Sequence, residues 1–186
     1  MSAEAFARSV PPVVTLNHLT DMIEADEYGH RFELSPEGAI TITPPPDTEH
    51  AGIASDLFAW LLAAGWPARQ ILQAVGVRIS LSDGDGGRIP DLTLWAQRPQ
   101  GIWPPVTDLL LAVEIVSPSS RSMDRDLKVK EYAEAGIPRY WVVDRDTANT
   151  VTLYHLADTG AYDLVTKLPL AWLLQSSPED HLPPAN

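Results

Sequence analysis

A glutamate inside the most apolar segment of the chain is the first residue whose position suggests chemistry. The run Leu109–Val116 (LLLAVEIV) consists of aliphatic residues apart from Glu114. A buried carboxylate is costly unless it is paired with a cation or binds a metal ion. Two interpretations of Glu114 are therefore possible. It lies at the strand end, where it faces solvent or pairs with an arginine, or it belongs to a functional site. This run alone leaves both open.

A second carboxylate lies upstream of this run. Asp91 follows a proline in the short predicted strand 89–95. If that strand lies beside the strand of Glu114, the two carboxylates could converge on one cation. Hard ions such as Mg²⁺ and Mn²⁺ prefer oxygen ligands, and Mg²⁺ commonly takes one or two carboxylates plus water. The backbone carbonyl of Ile115 could add a further oxygen, so the pair predicts a metal site.

A lysine downstream could complete such a site. Lys128 lies in a predicted helix over 122–135 that follows the Glu114 strand, and such a helix folds back over the sheet. An ammonium group near the carboxylates could orient an attacking water or stabilise charge that builds on a phosphate. The structural alternative is an ordinary surface lysine, which the residue type by itself favours.

The other segments predict the elements that must position these residues. In the first half of the chain, hydrophobic spacing and turn residues predict an amphipathic helix over Leu16–Tyr28, a hairpin of Phe32–Leu34 and Ala39–Ile42, and a helix from Asp47 to Gly65. An extended segment over 70–81 and an exposed turn at Ser82–Gly87 follow. In the second half we predict a strand over Tyr140–Val143 and closing antiparallel strands over Thr150–His155 and Tyr162–Lys167. Strand, helix and strand in succession favour a mixed sheet with packed helices. We therefore predict an α/β (α+β) fold, a mixed central sheet flanked by helices, with an N-terminal helix and hairpin.

Length and composition limit the class of protein. The chain has 186 residues, which suits one domain, and we predict that domain over 13–174 with flexible termini at 1–12 and 175–186. It has no cysteine, which excludes disulfides, thiolate zinc sites and a cysteine nucleophile. We see no signal peptide and no apolar run long enough to span a bilayer, so we expect a soluble cytoplasmic protein.

The net charge of −12 opposes binding to nucleic acid, because phosphates are bound by lysine and arginine. The charge is unevenly distributed, however, since four basic residues occur within ten positions. These are Arg121, Arg125, Lys128 and Lys130. A local basic patch on an acidic protein is therefore compatible with the sequence.

Taken together, these segments resemble the Uma family of restriction endonucleases, in the PD-(D/E)XK nuclease superfamily. The resemblance covers roughly residues 15–170. The matching segments are Pro90–Leu92, Val113–Ser119, Asp124–Lys128 and Tyr132–Asp144, with weaker matches at Phe32–Leu34 and Pro44–His50. The superfamily motif places a lysine two residues after the second acid, where this chain has Val116. In the Uma family the lysine comes instead from the next helix, and Lys128 matches it.

The resemblance implies a restriction-endonuclease-like fold and Mg²⁺-dependent (or Mn²⁺-dependent) hydrolysis of DNA, often by a homodimer. It implies that Asp91 and Glu114 are catalytic metal ligands and that Lys128 is the catalytic cation. Less direct assignments are phosphate contacts by Arg125 and Arg121, and further metal or water contacts by Glu33, Glu49 and His50.

Two other functions remain open from the sequence. A binding protein that kept the nuclease fold without catalysis would account for the acidic net charge and for Val116 in the lysine position. A glycosidase with paired carboxylates is supported only by the two acids, because no aromatic-lined sugar cleft can be identified.

Overall fold

The computed structural model describes residues 14–116 and 127–185. In these residues the helices are α1 (Leu16–Ala25), α2 (Thr48–Ala63), α3 (Val129–Glu134) and α4 (Leu170–Leu173), with short 3-10 helices at Val106–Asp108 and Pro178–Asp180. The strands are β1 (Arg31–Leu34), β2 (Ile40–Thr43), β3 (Ile71–Gln73), β4 (Val77–Leu81), β5 (Gly84–Arg88), β6 (Leu92–Trp95), β7 (Leu109–Val116), β8 (Arg139–Asp144), β9 (Thr150–Leu156) and β10 (Tyr162–Pro169).

The strands form two sheets. The smaller has four strands in the order β2-β1-β5-β4, and the larger has six in the order β10-β9-β8-β7-β6-β3. In the larger sheet β7 and β8 pair in parallel, while the other neighbours pair antiparallel. The chain passes from the smaller sheet to the larger between β5 and β6, across residues 89–91. The predicted α+β fold with a mixed central sheet is therefore confirmed.

Local sequence signals account for several element ends. The Asp47 side chain accepts a hydrogen bond from the His50 amide and caps α2, and Gly65 follows the helix with a positive φ of 95°. Glycine adopts that left-handed conformation without the strain that a Cβ atom would add. The hairpin of β1 and β2 has its turn at Pro36–Gly38, where Gly38 has a φ of 91°. Both predictions are confirmed.

The larger sheet is covered on both faces. On one face, α2 packs its buried residues against alternate residues of β7 that include Leu111, Val113 and Ile115. On the other face, Ala112 and Val116 pack with Tyr132 of α3. Strand β7 is thus buried on both sides, which explains its nearly continuous aliphatic sequence. Glu114 shares the face of Ala112 and Val116, because side chains alternate along a strand.

The docking of α2 on the sheet is expected to contribute strongly to stability. Leu57 is buried in the main core, whereas Leu62 on the same helix is exposed. Leu57→Ala should lower the free energy of unfolding by about 2–5 kcal/mol, because it removes buried methyl groups and leaves a cavity. Leu62→Ala is the matched control and should change it by less than about 0.5 kcal/mol. Urea denaturation measures both, and equal losses would contradict this packing.

Two segments differ from the sequence predictions. Strand β5 (Gly84–Arg88), which overlaps the predicted exposed turn Ser82–Gly87, lies between β1 and β4. Glycines occur there because neighbours approach closely: a Cβ atom on Gly86 would lie 2.7 Å from the carbonyl oxygen of Leu34. The C-terminal segment, predicted to be flexible, packs on the domain as far as 185. Leu182 is buried in the main core, and the Trp60 indole donates a hydrogen bond to the Ser176 carbonyl oxygen.

Two predicted segments fall partly or wholly outside the described residues. One is the N-terminal arm 1–12, and the other is the start of the predicted helix 122–135, at residues 122–126. Within the described residues, no helix combines the length and the apolar character needed to cross a membrane.

Candidate active site

The candidate site lies where the two sheets meet. Its side chains come from β1, from the start of α2, from the link between β5 and β6, from the end of β7, and from α3. The register of β6 and β7 pairs Leu92 with Val113, so the link that carries Asp91 reaches the sheet beside Glu114. The sequence prediction that these two acids come from adjacent strands agrees with this placement.

Asp91 is buried and its carboxylate is fully engaged. Oδ2 accepts a hydrogen bond of 2.7 Å from the Ile115 amide, which ties it to β7 immediately after Glu114. The same oxygen lies 3.0 Å from Nε2 of His50. Oδ1 accepts from Nη1 of Arg31 at 2.5 Å. Burial, and then the positive charges of Arg31 and Arg145, lower the pKa of His50 despite the opposing charge of Asp91.

Glu114 and Lys128 form a buried ion pair. Nζ of Lys128 donates to Oε1 of Glu114 at 2.8 Å, and the Tyr132 hydroxyl donates to the same oxygen at 2.8 Å. Burial, followed by the negative charges of Glu114 and Glu33, raises the pKa of Tyr132 well above its ordinary value. Tyr132 therefore stays protonated and acts as a donor. Lys128 is only 4% exposed, which is incompatible with an ordinary surface lysine.

Glu33 is the third carboxylate of this cluster. Its Oε1 accepts from the Ile89 amide at 2.7 Å and from Nζ of Lys128 at 3.3 Å. Burial raises the pKa of Glu33, but the charges of Lys128 and Arg88 outweigh this effect and leave the pKa lowered. Glu33 is thus held as a carboxylate, and Lys128 lies between it and Glu114.

A second buried ion pair supports α3. Arg88 donates to Glu131 from two nitrogens, Nε to Oε2 at 2.8 Å and Nη2 to Oε1 at 2.6 Å. Nη1 of Arg88 also lies 3.5 Å from Oε2 of Glu33. Glu131 is three residues after Lys128 and adjacent to Tyr132. The pair therefore links β5 and β1 to the helix that presents both donors to Glu114.

The other predicted residues are placed differently. His50 joins the site through Asp91, whereas Glu49 points elsewhere and pairs with Arg145, whose Nη2 is 2.5 Å from Oε2. Glu49 is thus an exposed acidic residue in the first turn of α2, paired with Arg145. Arg121 and Arg125 lie outside the described residues. Val116, in the superfamily's lysine position, is fully buried in the core.

Sequence reasoning missed Arg31, Arg88, Glu131 and Tyr132. Arg31 and Arg88 contact acids that are 60 and 43 residues away in the chain, so no local spacing indicates these pairs. One signal was present for Arg31. It lies two residues before Glu33, directly before the predicted strand Phe32–Leu34, and alternate residues of a strand share a face. Tyr132 and Glu131 lie four and three residues after Lys128, the spacing of neighbours on a helix surface.

The acidic and histidine side chains of the site limit the kind of divalent metal ion that could bind there. In the described part of the chain, no three histidine, cysteine, aspartate or glutamate side chains form a group that could hold a metal ion. A structural or catalytic zinc site needs three or four protein ligands. Mg²⁺ commonly binds through one or two carboxylates and retains several waters. Asp91 and Glu114 are two buried carboxylates, the kind of oxygen donor that Mg²⁺ takes.

Comparisons with known proteins agree with this fold. A solved structure titled as "a putative nuclease belonging to DUF820" from Anabaena variabilis ATCC 29413 is similar to this chain, with 20% sequence identity and a TM-score of 0.58. The similarity covers 87% of this chain and 95% of that one, and it shows the shared fold. No functionally curated protein is similar enough to count as a match.

The family model described as "Uma2: Putative restriction endonuclease" matches residues 16–180. This range includes both sheets and every side chain of the candidate site. The chain therefore belongs to the Uma2 family.

Proposed function

We propose that the protein is a metal-dependent endonuclease that hydrolyses phosphodiester bonds of DNA. One observation carries the proposal. The buried Lys128 contacts the carboxylates of Glu114 and Glu33, and a third acid, Asp91, is hydrogen-bonded to β7 next to Glu114. Such a cluster is costly to bury, and perturbed ionisable groups gather at functional sites. Membership of the Uma2 family and the nuclease-like neighbour support this reaction class.

In this proposal Asp91 and Glu114 hold Mg²⁺ or Mn²⁺, with the Ile115 carbonyl as a further candidate ligand. When bound, the ion supplies positive charge that polarises the scissile phosphate. The Ile115 amide orients the Asp91 carboxylate toward the end of β7, and Tyr132 orients that of Glu114. These contacts fix the carboxylates before any ligand arrives, which is the preorganisation that catalysis requires.

Lys128 has the role of the catalytic cation. Its ammonium is held between Glu114 and Glu33, so its position is set from two sides. From there it can donate a hydrogen bond to the attacking water and stabilise negative charge on the phosphoryl group. Glu33 shares the ammonium with Glu114 and can accept a proton from that water. His50 orients Asp91 in this scheme.

The test is cleavage of supercoiled plasmid DNA in Mg²⁺ or Mn²⁺. Asp91→Asn keeps the shape of the side chain but removes its charge, and we expect at least about 100-fold slower cleavage. Asp163→Asn, on the exposed edge strand β10, is the matched control and should cleave like the wild type. Cleavage by Asp91→Asn at the wild-type rate would contradict the assignment.

A second candidate is a nuclease-fold binding protein without catalysis. The observation that favours it is that Arg31 and Lys128 already neutralise the site carboxylates, in a chain with a net charge of −12. Calorimetric titration with Mn²⁺ separates the two functions. A saturable site that is lost in Asp91→Asn supports the nuclease, and the absence of any binding supports the second candidate.

The proposed activity requires a surface that binds DNA, and it is accompanied by proposals for the protein's location and oligomeric state. We propose that DNA is bound by a local basic patch that includes Arg121 and Arg125, and that the protein acts in the cytoplasm. We also propose a homodimer, which would place two sites for cutting both strands. Sedimentation equilibrium tests the dimer directly.

A further inference from the structure

Arg31 is the most accessible of the three cations in the site cluster. Its side chain is 17% exposed, compared with 5% for Lys128 and 1% for Arg88. On β1, Phe32 and Leu34 pack into a small core beneath α1. The alternate residues Arg31 and Glu33 therefore face the site. Of these three cations, Arg31 is thus the one that a ligand from solvent can reach most easily.

The contact that Arg31 makes involves a proposed metal ligand. Its Nη1 is 2.5 Å from Oδ1 of Asp91, while Oδ2 is occupied by the Ile115 amide and faces His50. A divalent ion bound by Asp91 would have to approach a carboxylate that already has a guanidinium on one oxygen. Two positive charges at one carboxylate repel each other, so metal and Arg31 compete for Asp91.

A guanidinium displaced from Asp91 requires another anion. Its planar fork matches the oxygens of a phosphate as well as those of a carboxylate. A DNA backbone bound at the same site would bring such a group to the place where Arg31 is released. Glu33 would not hold it, because that carboxylate is already engaged by Lys128 and the Ile89 amide.

We propose that Arg31 is a phosphate-binding residue that occupies Asp91 until the metal binds and then transfers its guanidinium to a phosphate of the substrate. This inference rests on the proposed nuclease function and deepens it. It predicts positive coupling between metal and DNA: each should tighten the binding of the other, and Arg31 should carry part of that coupling.

The first measurement is calorimetric titration of Mn²⁺ into the DNA-free protein. Arg31→Gln removes the competing charge, so Mn²⁺ should bind about 10-fold more tightly than to the wild type. Arg145→Gln is the matched control. It also removes one positive charge close to His50, but Arg145 pairs with Asp47 and Glu49. Its Mn²⁺ affinity should stay within about 2-fold of the wild type.

The second measurement is fluorescence anisotropy of a labelled DNA duplex, with and without Ca²⁺ in place of the cleaving ion. In the wild type the metal should tighten DNA binding, and in Arg31→Gln this gain should shrink about 10-fold. Binding without metal should change little, because Arg31 is then held by Asp91. A purely structural role for Arg31 would weaken both conditions equally.

The outcomes separate this inference from the proposed function. If Mn²⁺ binds to the wild type and to Arg31→Gln with equal affinity, the competition at Asp91 is refuted while the nuclease proposal stands. If Mn²⁺ binds more tightly but the DNA coupling is unchanged, the phosphate-binding role is refuted. If Mn²⁺ binds neither protein, the proposed function itself fails.

Discussion

Lys128→Met is expected to slow plasmid cleavage about 100- to 1000-fold, the usual loss when a fixed donor to developing charge is removed. Methionine keeps most of the length and the apolar stem of the lysine but has no charge. The ammonium is 2.8 Å from Glu114 and 3.3 Å from Glu33, so the substitution removes a charge that contacts both acids. Mn²⁺ affinity, measured by calorimetry, should not fall, because the proposed metal ligands are unchanged and a positive charge beside Glu114 is removed.

The same substitution should also weaken the fold, and the assay has to separate the two effects. Removing one partner of a buried ion pair costs about 3–5 kcal/mol, because the remaining charge is left without compensation. Cleavage is therefore measured at a temperature where circular dichroism shows the variant to be folded. Without the lysine, burial and loss of a counter-charge should raise the pKa of Glu33.

Lys130→Met provides the matched control for this prediction. Lys130 lies two residues further along α3 and is exposed, so it should affect neither cleavage nor stability measurably. Cleavage by folded Lys128→Met within about 3-fold of the wild-type rate would remove the lysine from the proposed mechanism. The proposed metal ligands would then have to be tested separately.

Arg88→Met is expected to lower the free energy of unfolding by about 3–5 kcal/mol. Arg88 is 1% exposed and forms a two-point contact with Glu131, which is also buried. Burial by itself would lower the pKa of Arg88, but the hydrogen bonds with Glu131 and the charges of Glu33 and Glu131 raise it. The guanidinium is therefore charged, and its loss removes a positive charge that pairs with Glu131 and lies near Glu33.

A double variant shows whether the loss comes from the unpaired charge. In Arg88→Met/Glu131→Leu both partners become apolar, and replacing a buried pair in this way is often neutral or stabilising. We therefore expect urea denaturation to show the double variant to be more stable than Arg88→Met alone. Arg78→Met breaks an exposed pair with Asp85 and should cost at most about 1 kcal/mol. Equal losses from Arg88→Met and Arg78→Met would contradict the buried-pair argument.

The Arg88 pair also affects the site, because Glu131 and Lys128 lie one helical turn apart on α3. If the pair holds α3 in position, the folded Arg88→Met variant should cleave DNA more slowly than its folded fraction explains. The Arg88 guanidinium contacts Glu131 and lies near Glu33, neither of which is a proposed metal ligand, so Mn²⁺ binding should change less than cleavage. Arg88 is thus a positioning residue in this scheme.

The sequence by itself determined the elements whose causes are local. The aliphatic run around Glu114 predicted a central strand because a strand buried on both faces has few polar residues. Asp47 and Gly65 marked the ends of α2 because caps depend on single side chains and on positive φ. The family resemblance supplied Lys128 as the lysine, and the structure places its ammonium against Glu114.

The tertiary structure alone decided which charges meet. Arg31 reaches Asp91 across 60 residues of sequence, and Lys128 reaches Glu33 across 95. Pairing at such distances depends on how the two sheets join, and no spacing pattern encodes it. The glycine-rich segment before Arg88 has the composition of a turn, yet the close approach of Leu34 makes it a strand. Local patterns thus indicated the acids and the family resemblance indicated the lysine, whereas the packing of distant segments determined which cation pairs with which acid.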